Sequence, residues 1–313
     1  MLINNKVLLL GGIIIDSYIV TEQYPERGQD TCIKNSFDKV GGCSINVAIT
    51  LRNLGCDPYI VSGVGNGHRG KIIMDYLIEQ GLNTAFIKPE DGSTGYCLTL
   101  LDETGERTFL TFKGCEETLT DQILTEDLLG NMSYAYVTGY YLLNSQYKDE
   151  KLALLRQLKR NGTKIVFDPG SLVDTMDIDF LKSVLKLAHI MIPNKTEVDK
   201  IINKLNIKKE FHKWCLENDS ELIIIKNGRQ LLNVYTQDNH YQLEPYSVSA
   251  IDTTGAGDSF AGGFIYSLIN RKSIEESMKI ASACGAIATT FLEPHGTFGM
   301  DDLLQIMSTR EES

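Results

Sequence analysis

Several features are scarce or missing in this chain, and each absence removes a class of function. No apolar run approaches the roughly 20 residues that cross a bilayer, so the sequence offers no membrane-spanning segment. Seven cysteines stand at positions 32, 43, 56, 97, 115, 215 and 284, odd in number and never as a C-x-x-C pair. That spacing fits neither a zinc site nor a disulfide framework, and leads to the expectation of reduced thiols in a cytoplasm. Five histidines (His68, His189, His212, His240 and His295) fall at no metal-binding spacing. There is no G-x-S-x-G elbow to supply a hydrolase nucleophile. Basic residues are outnumbered, 30 against 41 acidic, for a net charge of −11. This argues against a nucleic-acid surface but leaves phosphate ligands open, since local amides and a few cations can hold them.

What is present suits one α/β domain over 1–313: 42% hydrophobic and 23% charged residues, enough for a substantial core. Apolar runs at Val7–Leu10, Tyr59–Ser62, Tyr134–Thr138, Lys164–Phe167, His189–Ile192 and Leu222–Ile225 read as strands. Helical patterns at Ile45–Leu54, Lys71–Gln80, Lys148–Asn161, Asp179–Leu187, Glu197–Leu205 and Lys209–Asn218 alternate with them. Alternation of this kind predicts a mostly parallel sheet flanked by helices on both faces, with ligands at the strands' carboxyl ends. Two segments break the rhythm, Ser17–Phe37 and the hairpin-like Tyr96–Phe112. Together, residues 17–37 and 96–112 form either a small β-rich lid or a pair of surface hairpins.

The most informative stretch is Ile251-Asp252-Thr253-Thr254-Gly255-Ala256-Gly257-Asp258-Ser259-Phe260. It puts a small-residue turn and a carboxylate at the start of a helix, where free N–H groups attract phosphate. A phosphoryl-transfer site needs those amides beside a base for the attacking hydroxyl; a capped helix explains the same residues more plainly. Gly41-Gly42 followed by Asn46 is a second tight turn into a helix, and Gly11 to Asp16 reads as a strand ending on an acid that could bind sugar hydroxyls. Asn194 with Glu197 resembles a capping box, and Lys226-Asn227-Gly228-Arg229 puts two cations on a glycine turn. Gly65 to Gly70 matches G-x-G-x-x-G and almost spells a Walker loop, but Ile72 replaces the hydroxyl residue that would bind magnesium. Two half-matches on one loop read as an ordinary strand-to-helix turn.

Asp16, Gly41-Gly42 with Asn46, Asn194-x-x-Glu197, Lys226-x-Gly228 and Asp252 to Asp258 occur in an order that resembles the ribokinase or PfkB-type family of carbohydrate kinases, from the first strand to about Thr297. The resemblance implies a ribokinase-like fold and an ATP-dependent transfer to a primary hydroxyl of a sugar or sugar-like molecule. It implies Asp258 as base, and Gly255, Ala256 and Gly257 as anion hole. Asp16, Gly41, Gly42 and Asn46 would contact the sugar. Arg107 and Lys113, which border the lid strands, either meet an acidic or phosphorylated substrate or are solvated surface charges. Asn194 and Glu197 would organise Mg2+ and the phosphates through water, and Lys226 and Gly228 would lie along ATP. Asp252 and Thr254 match a monovalent-cation site, typically for K+. The lid would also form a homodimer contact. Cys43-Ser44 departs from the Lys-Gly that ribokinase proper carries after the paired glycines, Gly65-Asn66-Gly67 lacks a usual aspartate, and Gly114-Cys115-Glu116 replaces a common Gly-Ala-Asn. A nucleoside kinase, with Tyr96, Phe109 and Phe112 lining a base slot, is the neighbouring reading. A non-catalytic sugar sensor and a nicotinamide oxidoreductase resting on Gly65–Gly70 are the others.

Overall fold

The computed structural model describes residues 6–102, 107–118, 125–143, 145–292 and 294–308. Its main sheet has nine strands. An interior one, β1 (Val7–Leu10), is buried at every position and pairs in parallel with β4 (Tyr59–Gly65) on one side and β8 (Tyr134–Thr138) on the other. Beyond β4 lies β5 (Ile87–Glu90); beyond β8 follow β9 (Lys164–Asp168), β10 (Ile190–Met191) and β11 (Leu222–Ile225), all parallel. Two antiparallel strands, β12 (Leu232–Tyr235) and β13 (His240–Leu243), finish that edge.

Strand alternation divides the core between the two faces. Leu8 and Leu10 pack under α3 (Glu126–Gly130), α4 (Gly139–Leu142), α5 (Lys148–Arg160), α6 (Ile178–Leu187), α7 (Lys195–Leu205) and α8 (Phe211–Leu216). Val7 and Leu9 pack under α1 (Cys43–Asn53), α2 (His68–Glu79), α9 (Ala256–Ile269) and α10 (Ile274–Ala288). Both faces are covered, which is why these strands read as unbroken apolar runs rather than alternating ones.

A second sheet of four strands has the order β3-β2-β6-β7. Its members are β2 (Ile14–Thr21), β3 (Ile33–Gly41), β6 (Tyr96–Leu101) and β7 (Arg107–Phe112). The β2–β3 and β6–β7 pairs are antiparallel, and β2–β6 is parallel. The sequence reading of Gly11 to Asp16 as the end of a strand is corrected here. The first strand stops at Leu10, the chain crosses at Gly11-Gly12, and Asp16 is the third residue of β2. A side chain on Gly12 would have to displace the Glu116 carboxylate, which packs over the crossing. No helix among the described residues is long and apolar enough to cross a membrane.

Candidate active site

A cleft of about 440 Å³ opens where the small sheet meets the start of α1 and of α9. Both helices begin behind a glycine. Gly42 sits at φ 103° before α1 and Gly255 at φ 74° before α9, so neither N-cap has a side chain that claims the first-turn amides. A Cβ on Gly42 would stand 2.6 Å from the Gly12 carbonyl oxygen, and one on Gly255 would collide with the carbonyl of Pro294. The backbone paths around both turns therefore admit only glycine, and both turns line the cleft through Gly42, Thr254 and Gly255.

Asp258, in the first turn of α9, faces the cleft and accepts a hydrogen bond from Asn46 Nδ2 of α1 at 2.7 Å. Burial pushes its carboxyl up to about 6; the nearby Asp168 charge adds to this, while the Asn46 bond opposes it. Asp16 is 9% exposed, packs against the backbone of Gly41, and is raised to about 7 by burial and then by the charges of Asp258 and Asp252. Three of the acids singled out in the sequence thus meet around one turn. Asp252 is buried beside it, and its Oδ1 accepts from the Thr254 N–H at 2.7 Å.

The other walls include Lys113 and Phe109, both singled out in the sequence, together with residues it marked only as departures or not at all. Lys113 Nζ pairs with Glu116 Oε1 at 2.8 Å and lies 4.9 Å from the Tyr140 ring centroid. Tyr140 and Ser171 share a 2.7 Å hydrogen bond, and Thr138, Cys97, Phe109 and Thr111 complete the lining. Of the three aromatics expected to form a base slot, Phe109 alone is in the cleft lining; Tyr96 and Phe112 pack on each other at 5.3 Å.

A second polar cluster adjoins the first. Asn194 caps α7, and Glu197 returns the bond to the Asn194 N–H, a complete capping box. Glu197 is 5% exposed and raised to about 7 by burial and by Asp168, with Lys226 holding it back. Lys226 pairs with Asp168 at 2.8 Å. Burial disfavours its charge, yet the Asp168 and Glu197 carboxylates hold the ammonium above its usual range. Its Nζ stands 3.3 Å from where a Cβ on Gly257 would be, which joins this cluster to the α9 turn. Asp168 was missed in the sequence; its signal was an acid ending an apolar strand at the carboxyl edge.

One expected site residue is not brought together with the rest. Gly228 is in an exposed turn at φ 58°, outside the cleft lining. The Arg107 side chain lies outside the described residues. The Gly65–Gly70 loop is a strand-to-helix turn away from the cleft, with the Gly65 N–H bonded to Thr94 Oγ1 at 2.9 Å and Arg69 stacked over Tyr96.

The chain is similar to several known kinases in sequence and in fold. An ATP-dependent ribose-1-phosphate kinase of Halopiger xanaduensis is 26% identical over 283 residues, covering 90% of this chain and 91% of its own. Among solved structures, ribokinase from Thermotoga maritima superposes with a TM-score of 0.85 at 19% identity, over 96% of this chain and 99% of that one. A nucleoside kinase of Burkholderia thailandensis in complex with inosine reaches 0.84 at 18%, over 98% and 99%. These superpositions show a ribokinase fold. The family model described as "pfkB family carbohydrate kinase" matches residues 4–293, and the chain belongs to that family of ATP-dependent carbohydrate kinases.

Proposed function

We propose that Asp258 is the catalytic base of this kinase, that the turn Gly255-Ala256-Gly257 is its anion hole, and that the acceptor is a sugar or sugar-like molecule bearing a primary hydroxyl. The observation that carries the reading is the Asn46–Asp258 bond at a glycine-capped helix start, inside a cleft that also holds Asp16. The acceptor would lie against Asp16, Gly41, Gly42 and Asn46, and Arg107 would meet an acidic or phosphorylated one. Its hydroxyl would pass a proton to Asp258 as the oxygen attacks the γ-phosphorus of ATP, and the α9 amides would take up charge on the moving phosphoryl group. The glycine caps support this, because no N-cap side chain takes up the first-turn N–H groups of either helix.

ATP would run from that turn along Lys226 and Gly228. No group of three or more His, Cys, Asp or Glu among the described residues could hold a metal alone, so Mg2+ fits only as a phosphate-bound ion reached by Asn194 and Glu197 through water. When bound, it neutralises phosphate charge. The buried Asp252 carboxylate beside Thr254 fits a monovalent cation such as K+, placed to steady the anion-hole turn. The small sheet would act as a lid of one domain spanning the chain. Its exposed Ile33, Phe109, Leu110 and Phe112 fit a homodimer contact.

A second reading has one observation in its favour. Phe109, Cys97, Ile14 and Leu172 give the cleft an apolar side that a nucleobase could fill. The deciding experiment is acceptor-dependent ADP release with magnesium and potassium across neutral sugars, sugar acids, sugar phosphates and nucleosides. The sugar reading expects a saturable response to a sugar class. A response confined to nucleosides would replace it, and ADP release with no acceptor dependence would sink both.

A further inference from the structure

The cleft carries one ion pair that the phosphoryl chemistry does not use. Lys113 directly follows β7, and its Nζ donates to Glu116 Oε1 at 2.8 Å across a turn that begins at Gly114, φ 58°. Both side chains line the cleft, yet neither is a solvated charge, at 17% and 6% exposed. Neighbouring groups fix the pair in place. Glu116 Oε2 is seated against Gly12 at the crossing between β1 and β2. The ammonium lies 4.9 Å from the centroid of the Tyr140 ring, whose face favours a cation. Tyr140 is held in turn by its 2.7 Å bond to Ser171 and by Gly170, where a Cβ would come within 2.8 Å of the ring.

Charge around the cleft is one-sided. Among the described lining residues the carboxylates are Asp16, Glu116 and Asp258, and Lys113 is the one cation. Glu116 takes up that cation, which leaves Asp16 and Asp258 facing the space with no other cation in the described lining. Burial raises both carboxyls, and the charge of Asp258 raises Asp16 further. An anionic group on an acceptor would meet like charge there and find the ammonium already engaged. An uncharged polyol meets partners of both kinds. Its hydroxyls can donate to the carboxylates and accept from the remaining N–H groups of Lys113 and Asn46.

We propose that the Lys113–Glu116 pair sets acceptor specificity. Glu116 occupies the ammonium, so the cleft takes an uncharged polyhydroxy compound and turns away sugar acids and sugar phosphates. This rests on the reading of the cleft as the acceptor site of a sugar kinase. Removing the Glu116 charge alone would present a cation to the acceptor, whereas removing the Lys113 charge alone would add a third uncompensated carboxylate. The two changes therefore push the choice between neutral and anionic acceptors in opposite directions. Specificity is a difference between two affinities, so the effect is read as a ratio, which a general loss of packing does not move.

The test is acceptor-dependent ADP release with matched acceptors on several sugar skeletons: the neutral sugar, its sugar acid and its phosphate. Acceptor kcat/KM is measured for the native enzyme, Glu116→Gln and Lys113→Gln, each checked by thermal melting. The native enzyme is expected to favour the neutral member by about tenfold or more. Glu116→Gln should move the ratio toward the anionic members by about tenfold, chiefly through KM. Lys113→Gln should move it the other way, and carries the comparison if Glu116→Gln melts early. A native preference for the acid or the phosphate overturns this inference alone. So does a ratio unchanged in both variants, even if turnover falls with every acceptor. No acceptor-dependent ADP release from any sugar, neutral or acidic, would overturn the sugar reading and this inference with it.

Discussion

Replacing Asp258 with asparagine should separate stability from activity, because the substitution removes a buried charge while keeping shape. The carboxyl is raised from 3.8 to about 6, chiefly by burial, so the ionised form is less at home in the fold than in the open chain. A rise of that size corresponds to about 3 kcal/mol. Asparagine offers an amide oxygen to Asn46 but also brings an N–H2 that needs a partner, which reduces the gain to about 1–3 kcal/mol. The sign follows from linkage. A raised folded-state carboxyl costs stability fully above about 6, and the cost disappears as pH falls toward 3.8. The variant should therefore melt a few degrees above the native protein at pH 8, and the gap should close by about pH 4. Loss of the base should meanwhile cut acceptor-dependent ADP release by about 10²–10⁴-fold. A variant less stable at pH 8 would refute the electrostatic reasoning, and turnover within tenfold of native would refute the role of Asp258.

Other substitutions probe the remaining parts of the account. Gly255→Ala puts a side chain at φ 74° against the Pro294 carbonyl, and should cost about 1–2 kcal/mol or more in a denaturant melt and at least about 10²-fold in turnover. Lys226→Met leaves Asp168 and Glu197 without their cation; about 3–5 kcal/mol of stability should go, and ATP affinity by calorimetry should drop with it. Asn194→Ala breaks a reciprocal cap on α7, worth about 1 kcal/mol by denaturant titration; an unchanged midpoint would contradict the capping argument. Exchanging potassium for a bulky organic cation should lower kcat in the native enzyme and have no effect on Asp252→Asn, as read by ADP release.

The main sheet was legible because its strands are covered on both faces, and a run such as Val7–Leu10 has no polar position to blur it. The small sheet was harder to read. β3 is exposed over most of its length, so Lys34, Asn35, Ser36 and Asp38 give it the composition of a loop. Asp16 was placed on the wrong strand for a related reason. Leu8 to Ile15 is one apolar stretch in the sequence, and only the Gly11-Gly12 crossing under Glu116 divides it between two sheets. Within the site, residues carried by local motifs were found, since a glycine turn followed by Asn46 or Asp258 is visible in a few positions. Pairs formed across the fold were not. Asp168 meets Lys226 across 58 residues, and Tyr140 meets Lys113 only when β8 and the end of β7 reach the same cleft.

A crystal structure of the protein with ADP, magnesium, beryllium fluoride and an acceptor that supports ADP release would show where the phosphoryl group sits as it moves. The account predicts the fluoride group against the backbone N–H groups of Gly255, Ala256 and Gly257, with the acceptor hydroxyl between it and the Asp258 carboxylate. A fluoride group held elsewhere, or an acceptor hydroxyl out of hydrogen-bond reach of Asp258, would contradict it.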